Sequence, residues 1–476
     1  MAAQLLTGTD NIRLRVKDGR ASWLLTCLKP TSIKQQNIMK KIISLALLCL
    51  SLLTARAQVA DFLISDMLNK SDWFALEREY PALKDSVQMP FLRVMAEALL
   101  AVNFNRDDEA VSAIDTLIAK HQSYIGFDNT MNMVMIKAAV ENRRGNSAKA
   151  AEILNNFITQ VKAQAPQVDL SAAEAQYRHY KTLNAIGRKT TLSRPDGDVV
   201  VDFTLRKQSR KDNDTSYTGY SIIMPVKING KGYNALLDTG CPNTMCMKSF
   251  AEKIGLKAAG DSIVITGAGT VEAAIGIIDS INIGDLTLHD ALTTIIDNND
   301  CTGDNLQQYD IIIGLDFLKL CGEARFMPRE GKIIFPATPT QLPGTGRNLL
   351  LSESDNLRLE AYVNGERCRF FFDTGNSITA FSKQYYERHK AEIDKTARKV
   401  TREGGGIGRN GMLTTLKLPP VTMTTGGSDV ELEHVAVVLE GLAPVQIDDG
   451  NVGVNLIQDC RMATLNLKDL FLKIED

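Results

Sequence analysis

The sequence predicts a multidomain α+β chain, with α-helical hairpins first and two mainly antiparallel, β-barrel-like lobes after them. Three observations carry that prediction. Small and apolar residues recur at helical spacing from residue 58 to about residue 187. Short β-type runs separated by Gly, Asp and Asn turns fill the remainder. Within that remainder, two segments repeat each other at a fixed offset of 135 residues. A length of 476 residues gives room for two to four domains of this kind.

The N-terminus is set aside before any fold reasoning. Met39-Lys40-Lys41 precedes an apolar run from Ile42 to Leu53, which Ala55-Arg56-Ala57 closes. A basic start, a short hydrophobic core and an A-x-A site in that order read as a secretory signal over residues 39–57. The apolar run is too short to span a bilayer, so no stable membrane span is expected after its removal. Residues 1–38 read as an upstream mis-start with Met39 as initiator, and the expected location is exported, periplasmic or secreted. Bulky Leu48 before Cys49 argues against a lipoprotein cysteine.

Composition then narrows the function classes. The chain is 44% hydrophobic and 23% charged, which excludes wholesale disorder and collagen-like repeats. Its net charge of -2 becomes -9 once residues 1–57 are removed, so no basic footprint for nucleic acid exists. The five histidines, His121, His179, His289, His389 and His434, form no metal-binding spacing, and no metal or organic cofactor is expected. Six cysteines remain beyond residue 57, too few for a disulfide scaffold, and their pairing is left open.

Residues 58–190 are expected to be helical. Phe91–Leu100, a polar turn at 103–108 and Glu109–Ile118 form one hairpin. Met131–Val140, a turn at 143–146 and Lys149–Ile158 form another, and the second helices align at an offset of 40. This resembles degenerate helical hairpins of the tetratricopeptide type. A plain bundle and a docking module for a protein partner both fit the pattern. Residues 191–218 read as a leading strand (Val199–Leu205) and a polar linker (206–218). Residues 219–338 form a first lobe and 339–476 a second, joined near Pro336, Pro339 and Pro343.

The chemistry lies in the repeat. Asn229-Gly230 precedes Asp238-Thr239-Gly240, and Asn364-Gly365 precedes Asp373-Thr374-Gly375, with identical spacing. Each Asp ends an apolar run, Ala235-Leu236-Leu237 or Phe370-Phe371-Phe372. Ile311-Ile312-Ile313-Gly314-Leu315 answers Asn451-Val452-Gly453-Val454 at an offset of 139, as Cys321 answers Cys460. One Asp-Thr-Gly is an ordinary turn. Two in register, each followed by a hydrophobic-Gly segment, resemble the aspartic peptidases of the pepsin and retropepsin type, most closely bacterial retropepsin-like proteins.

That resemblance covers roughly residues 221–476. It implies two acid-peptidase lobes about a pseudo-twofold axis, catalytic Asp238 and Asp373 meeting between them, and a protein or peptide substrate. Two carboxylates about 3 Å apart cannot both ionise, so they share a proton. One partner then takes a proton from water while the other gives a proton to the carbonyl oxygen. Gly240 and Gly375 are expected to let backbone N–H groups reach the carboxylates, and the resemblance implies that Thr239 and Thr374 interlock the turns. Gly267-Ala268-Gly269 and Gly406-Ile407-Gly408 read as flap tips. Gly406-x-Gly408-x-x-Gly411 also fits a dinucleotide fingerprint in form, but a charged helical segment before it and a strand after it contradict that use.

Cys241 and Asn376 depart from the family pattern, which has a small Ala, Ser or Thr there. A nucleophilic Cys241 would need a nearby His base, and the sequence places none. The competing function is a catalytically weak or inactive retropepsin-like peptide-binding scaffold acting through the helical region. A third reading makes that region a pro-segment that blocks the cleft.

Overall fold

The structure, a computed structural model, describes residues 58–211, 216–267, 269–300, 309–440 and 448–476. The signal segment and Ala268 lie outside these residues. The helices and β-lobes follow in the predicted order, and the chain divides into two compact units.

One unit comprises residues 58–101 and Asp108–Met133. Its helices are 58–69, Trp73–Leu83, most of Pro90–Asn103 and part of Asp107–Arg143. Asp72 caps the second helix by accepting from the Ala75 N–H, and Pro90 opens the third at a position where its missing N–H costs nothing. Ile64, Leu68, Trp73, Leu92, Leu99 and Ile114 form its buried core. Gly126, at φ 78°, breaks the long helix into two segments. The region expected to be helical is helical, and the division between the two units falls inside it.

The other unit comprises Val102–Asp107 and Val134–Asp476. The helices Ser147–Gln164 and Ser171–Ile186 pack together, and Leu183 and Ile186 rest on Ile263, Ala273 and Ile275 of the first lobe. Among the described residues a nine-stranded sheet, which also takes in Thr191–Ser193 and Thr204–Lys211, builds that lobe and a ten-stranded sheet the second. Both Asn-Gly pairs turn hairpins with positive φ at both residues (Asn229 51°, Gly230 76°, Asn364 51°, Gly365 85°), as the two-residue turn requires. A further five-stranded sheet takes strands from both halves, with Glu323–Met327 paired to Met462–Asn466.

Two expectations about local structure are corrected. The described residues of the polar stretch 206–218 are strand, not linker: Thr204–Lys211 pairs antiparallel with residues 216–223 of the strand Ser216–Ile228. The segment just before Gly406 is strand Arg398–Gly406, and the charged helix Lys383–Thr396 precedes it. Strand on both sides makes the glycine-rich stretch a hairpin tip, so the dinucleotide reading still fails. Among the described residues no helix is long and apolar enough to cross a membrane.

Candidate active site

Each Asp-Thr-Gly turn is held by the same strand arrangement. In the first lobe Ile311–Ile313 runs parallel to Lys231–Leu237 and antiparallel to Met245–Met247. In the second, Gly450–Val452 runs parallel to Glu366–Phe372 and antiparallel to Ala380–Phe381. The Asp238 N–H donates to Ile313 O at 3.0 Å, and the Asp373 N–H to Val452 O at 3.0 Å. A Cβ on Gly314 would sit 2.6 Å from the Asn243 backbone, and one on Gly453 would meet that of Asn376. The hydrophobic-Gly segments thus lie directly behind the turns.

The turns interlock. Thr239 Oγ1 donates to Phe372 O at 2.9 Å and accepts from the Thr374 N–H at 3.0 Å. Thr374 Oγ1 donates to Leu237 O at 2.8 Å and accepts from the Thr239 N–H at 3.0 Å. Both threonines are buried, so each hydroxyl replaces water for one donor and one acceptor of the opposite lobe. Thr239→Val orphans both groups and is expected to cost about 3 kcal/mol in urea unfolding. Thr239→Ser is expected to recover most of that loss.

The interlock brings Asp238 and Asp373 close enough for one backbone N–H to reach both carboxyls. The Gly240 N–H donates to Asp238 Oδ1 at 2.8 Å. The Gly375 N–H is shared between Asp373 Oδ1 at 2.9 Å and Asp238 Oδ1 at 3.2 Å. Burial, then the negative charge of Asp373, pushes the Asp238 carboxyl well above the usual carboxylate range, against the two N–H donors. The glycines answer a demand of space: a Cβ on Gly240 would overlap the Asp373 carboxyl, and one on Gly375 the Asp238 carboxyl.

Further from the pair, the lobes differ in charge. Asp316 accepts from the Thr244 N–H at 3.0 Å and from Thr244 Oγ1 at 3.1 Å, whereas Thr379 Oγ1 donates to Asn455. Burial raises Asp316 to about 6. The folded chain therefore holds a proton there that the unfolded chain has lost, and stability falls as pH rises from about 4 to about 6. Asp316→Asn, which copies Asn455, is expected to remove roughly 3 kcal/mol of that fall, read as urea stability at the two ends of the window.

Of the expected flap residues, Gly267 and Gly269 lie between the paired strands Ile263–Thr266 and Thr270–Ile283, and Gly406, Ile407 and Gly408 lie where Arg398–Gly406 turns into Arg409–Lys417. The Gly269 N–H donates to Ile407 O at 2.8 Å, so the tips touch. A Cβ on Gly269 would come 2.5 Å from Gly408 O. Ile407 packs on a first-lobe cluster that includes Ile223, Cys241, Ile296 and Ile312.

Cys241 is buried and its Sγ donates to Asn243 O at 2.8 Å. Burial and then Asp238 push its thiol far up, which opposes a thiolate nucleophile. Among the described residues no cluster of metal-ligating side chains occurs. Sequence reasoning did not single out Asn451, whose Nδ2 donates to Asp373 Oδ2 at 2.9 Å. The signal was present: the offset of 139 sets Asn451 against Ile312.

Comparison with known proteins finds a likeness over part of the chain. Residues 224–317, which include Asp238, match the family model described as Aspartyl protease. No curated protein matches the chain. Among solved structures the chain is similar to the aspartic proteinase from Irpex lacteus, at 15% identity over 58% of this chain and 97% of that one, with a TM-score of 0.37.

Proposed function

We propose that the chain is an exported aspartic endopeptidase, periplasmic or secreted, whose catalytic residues are Asp238 and Asp373. The observation that carries this reading is the approach of the two carboxyls, which share the Gly375 N–H in a buried site; burial, then the charge of Asp373, holds Asp238 far above an ordinary aspartate. A pair so close keeps one proton across a wide pH range and titrates as a unit. The ionised member takes a proton from water as its oxygen attacks the scissile carbonyl carbon. The protonated member gives its proton to the carbonyl oxygen. Collapse of the tetrahedral diol breaks the C–N bond: the leaving amine takes the proton that water gave up, and a diol hydroxyl returns its proton to the other carboxylate, which restores the pair.

The substrate is a protein or peptide bound extended beneath the flap tips, with the exposed edges of the hairpins offering backbone hydrogen bonds. The first flap strand rests on Leu183 and Ile186, which supports a role for the helices Ser147–Gln164 and Ser171–Ile186 in holding that flap in place. Export rests on the signal pattern of residues 39–57, and N-terminal sequencing of protein recovered outside the cytoplasm tests it.

The test of activity is cleavage of a reduced, unfolded protein from about pH 3 to 8, with and without a peptide bearing a secondary alcohol in place of the scissile carbonyl. Cleavage with a bell-shaped profile that this alcohol abolishes supports the reading. Binding of unfolded chains without cleavage at any pH would favour the scaffold.

A further inference from the structure

The lobes repeat each other in strand register, and Asn451, beside the carboxyl pair, is one residue that breaks the repeat. Ile312 lies opposite Leu236 in its parallel ladder, and Asn451 lies opposite Phe371 in the equivalent ladder. Ile312 belongs to an apolar cluster. Asn451 places an amide donor 2.9 Å from Asp373 Oδ2. Nδ2 is the amide atom that faces Asp373, and Oδ1 has no partner among the described residues.

The hydrogen bonds to the two carboxyls are consequently unequal. Asp373 accepts on both oxygens: Oδ1 from the N–H groups of Gly375 at 2.9 Å and Asn376 at 3.2 Å, Oδ2 from Asn451. Asp238 accepts from Gly240 and Gly375, both on Oδ1. Donors aimed at an oxygen favour its ionised form, and a neutral acid needs an oxygen left free to carry its proton. Among the described residues Asp238 Oδ2 accepts no N–H, so it is the oxygen open to a proton.

We propose that Asn451 is a positioning residue that holds Asp373 as the ionised member of the pair and leaves the shared proton on Asp238. Under the peptidase reading, on which this consequence rests, Asp373 is the base toward water and Asp238 the acid toward the carbonyl oxygen. The surrounding titratable groups do not supply the same bias. On the first turn Cys241 is a neutral thiol, and behind it Asp316 is engaged by Thr244. Beside the second-lobe strand, Asp449 pairs with Arg388 at 2.8 Å and Asp448 with Arg358 at 3.1 Å. Phe371 and Ala380, the strand neighbours of Asn451, are apolar.

The test is a pH titration of carboxyl-13C-aspartate by NMR in the full chain, with the two resonances assigned by their loss in Asp238→Asn and Asp373→Asn. It is run on wild type, on Asn451→Ile, which copies the first lobe, and on Asn451→Ala, should the larger side chain disturb folding. The low-pH ionisation in wild type is expected on Asp373. In both variants that ionisation is expected to rise by about one unit or more, because a donor to the charged form is lost. The acid limb of kcat/KM is expected to rise with it. A purely structural role would lower the melting temperature and leave the titration in place. An unmoved titration in a folded variant, or a wild-type low-pH ionisation on Asp238, overturns the proposal. Absence of cleavage in wild type would remove the peptidase reading, and the NMR titration would still decide where the proton sits.

Discussion

Asp238→Asn is expected to lower kcat/KM for cleavage of an unfolded protein by at least about 10³-fold. An amide cannot pass a proton to the carbonyl oxygen, and Asp373 then faces a neutral neighbour that has no proton to share. Asp373→Asn is expected to cost about as much, and the double substitution little more, because the two carboxyls act as one unit. The protein should remain folded. Asp238 binds its proton more tightly in the folded chain than an ordinary aspartate does, so it lowers stability as pH rises above about 4. Asparagine removes that penalty. Loss of activity with equal or greater urea stability at neutral pH separates a chemical role from a structural one.

Gly375→Ala is the second large effect. The added methyl would overlap the Asp238 carboxyl, and Gly375 also supplies the N–H that the two carboxyls share. The buried threonine interlock keeps the turns in place, so the Asp238 side chain must give way. A displacement of about 1 Å at reacting groups costs roughly 10²-fold. A loss of that size in kcat/KM is expected, with a smaller change in melting temperature. Gly232→Ala is the control: its Cβ would meet nothing within 4 Å. If Gly375→Ala and Gly232→Ala differ by less than about twofold, the carboxyls do not react at the contact described here.

The features fixed by local rules were legible in the sequence. Asn229-Gly230 and Asn364-Gly365 need positive φ, which few residue pairs adopt, and they marked both hairpins and the 135-residue offset. The convergence of Asp238 and Asp373 followed from that repeat, because each Asp ends an equivalent strand. The pairing of Thr204–Lys211 with Ser216–Ile228 was hidden because the first of these strands lacks an apolar alternation, and its register comes from its partner. The five-stranded sheet depends on Glu323–Met327 meeting Met462–Asn466 across more than a hundred residues of chain, which no local period encodes. The unit boundary within the helices was equally hidden, since hairpin periodicity says nothing of which hairpin packs with which. Asn451 was visible as a mismatch with Ile312, but only the distance to Asp373 gave the mismatch a meaning.

The most direct measurement is a crystal structure of the chain with a peptide whose scissile carbonyl is replaced by a secondary alcohol. The expected result is an extended peptide under the flaps whose hydroxyl oxygen lies within hydrogen-bonding distance of both Asp238 and Asp373. A hydroxyl bound away from the pair, or carboxyls that face separate surfaces, would contradict a hydrolytic water held between the two turns.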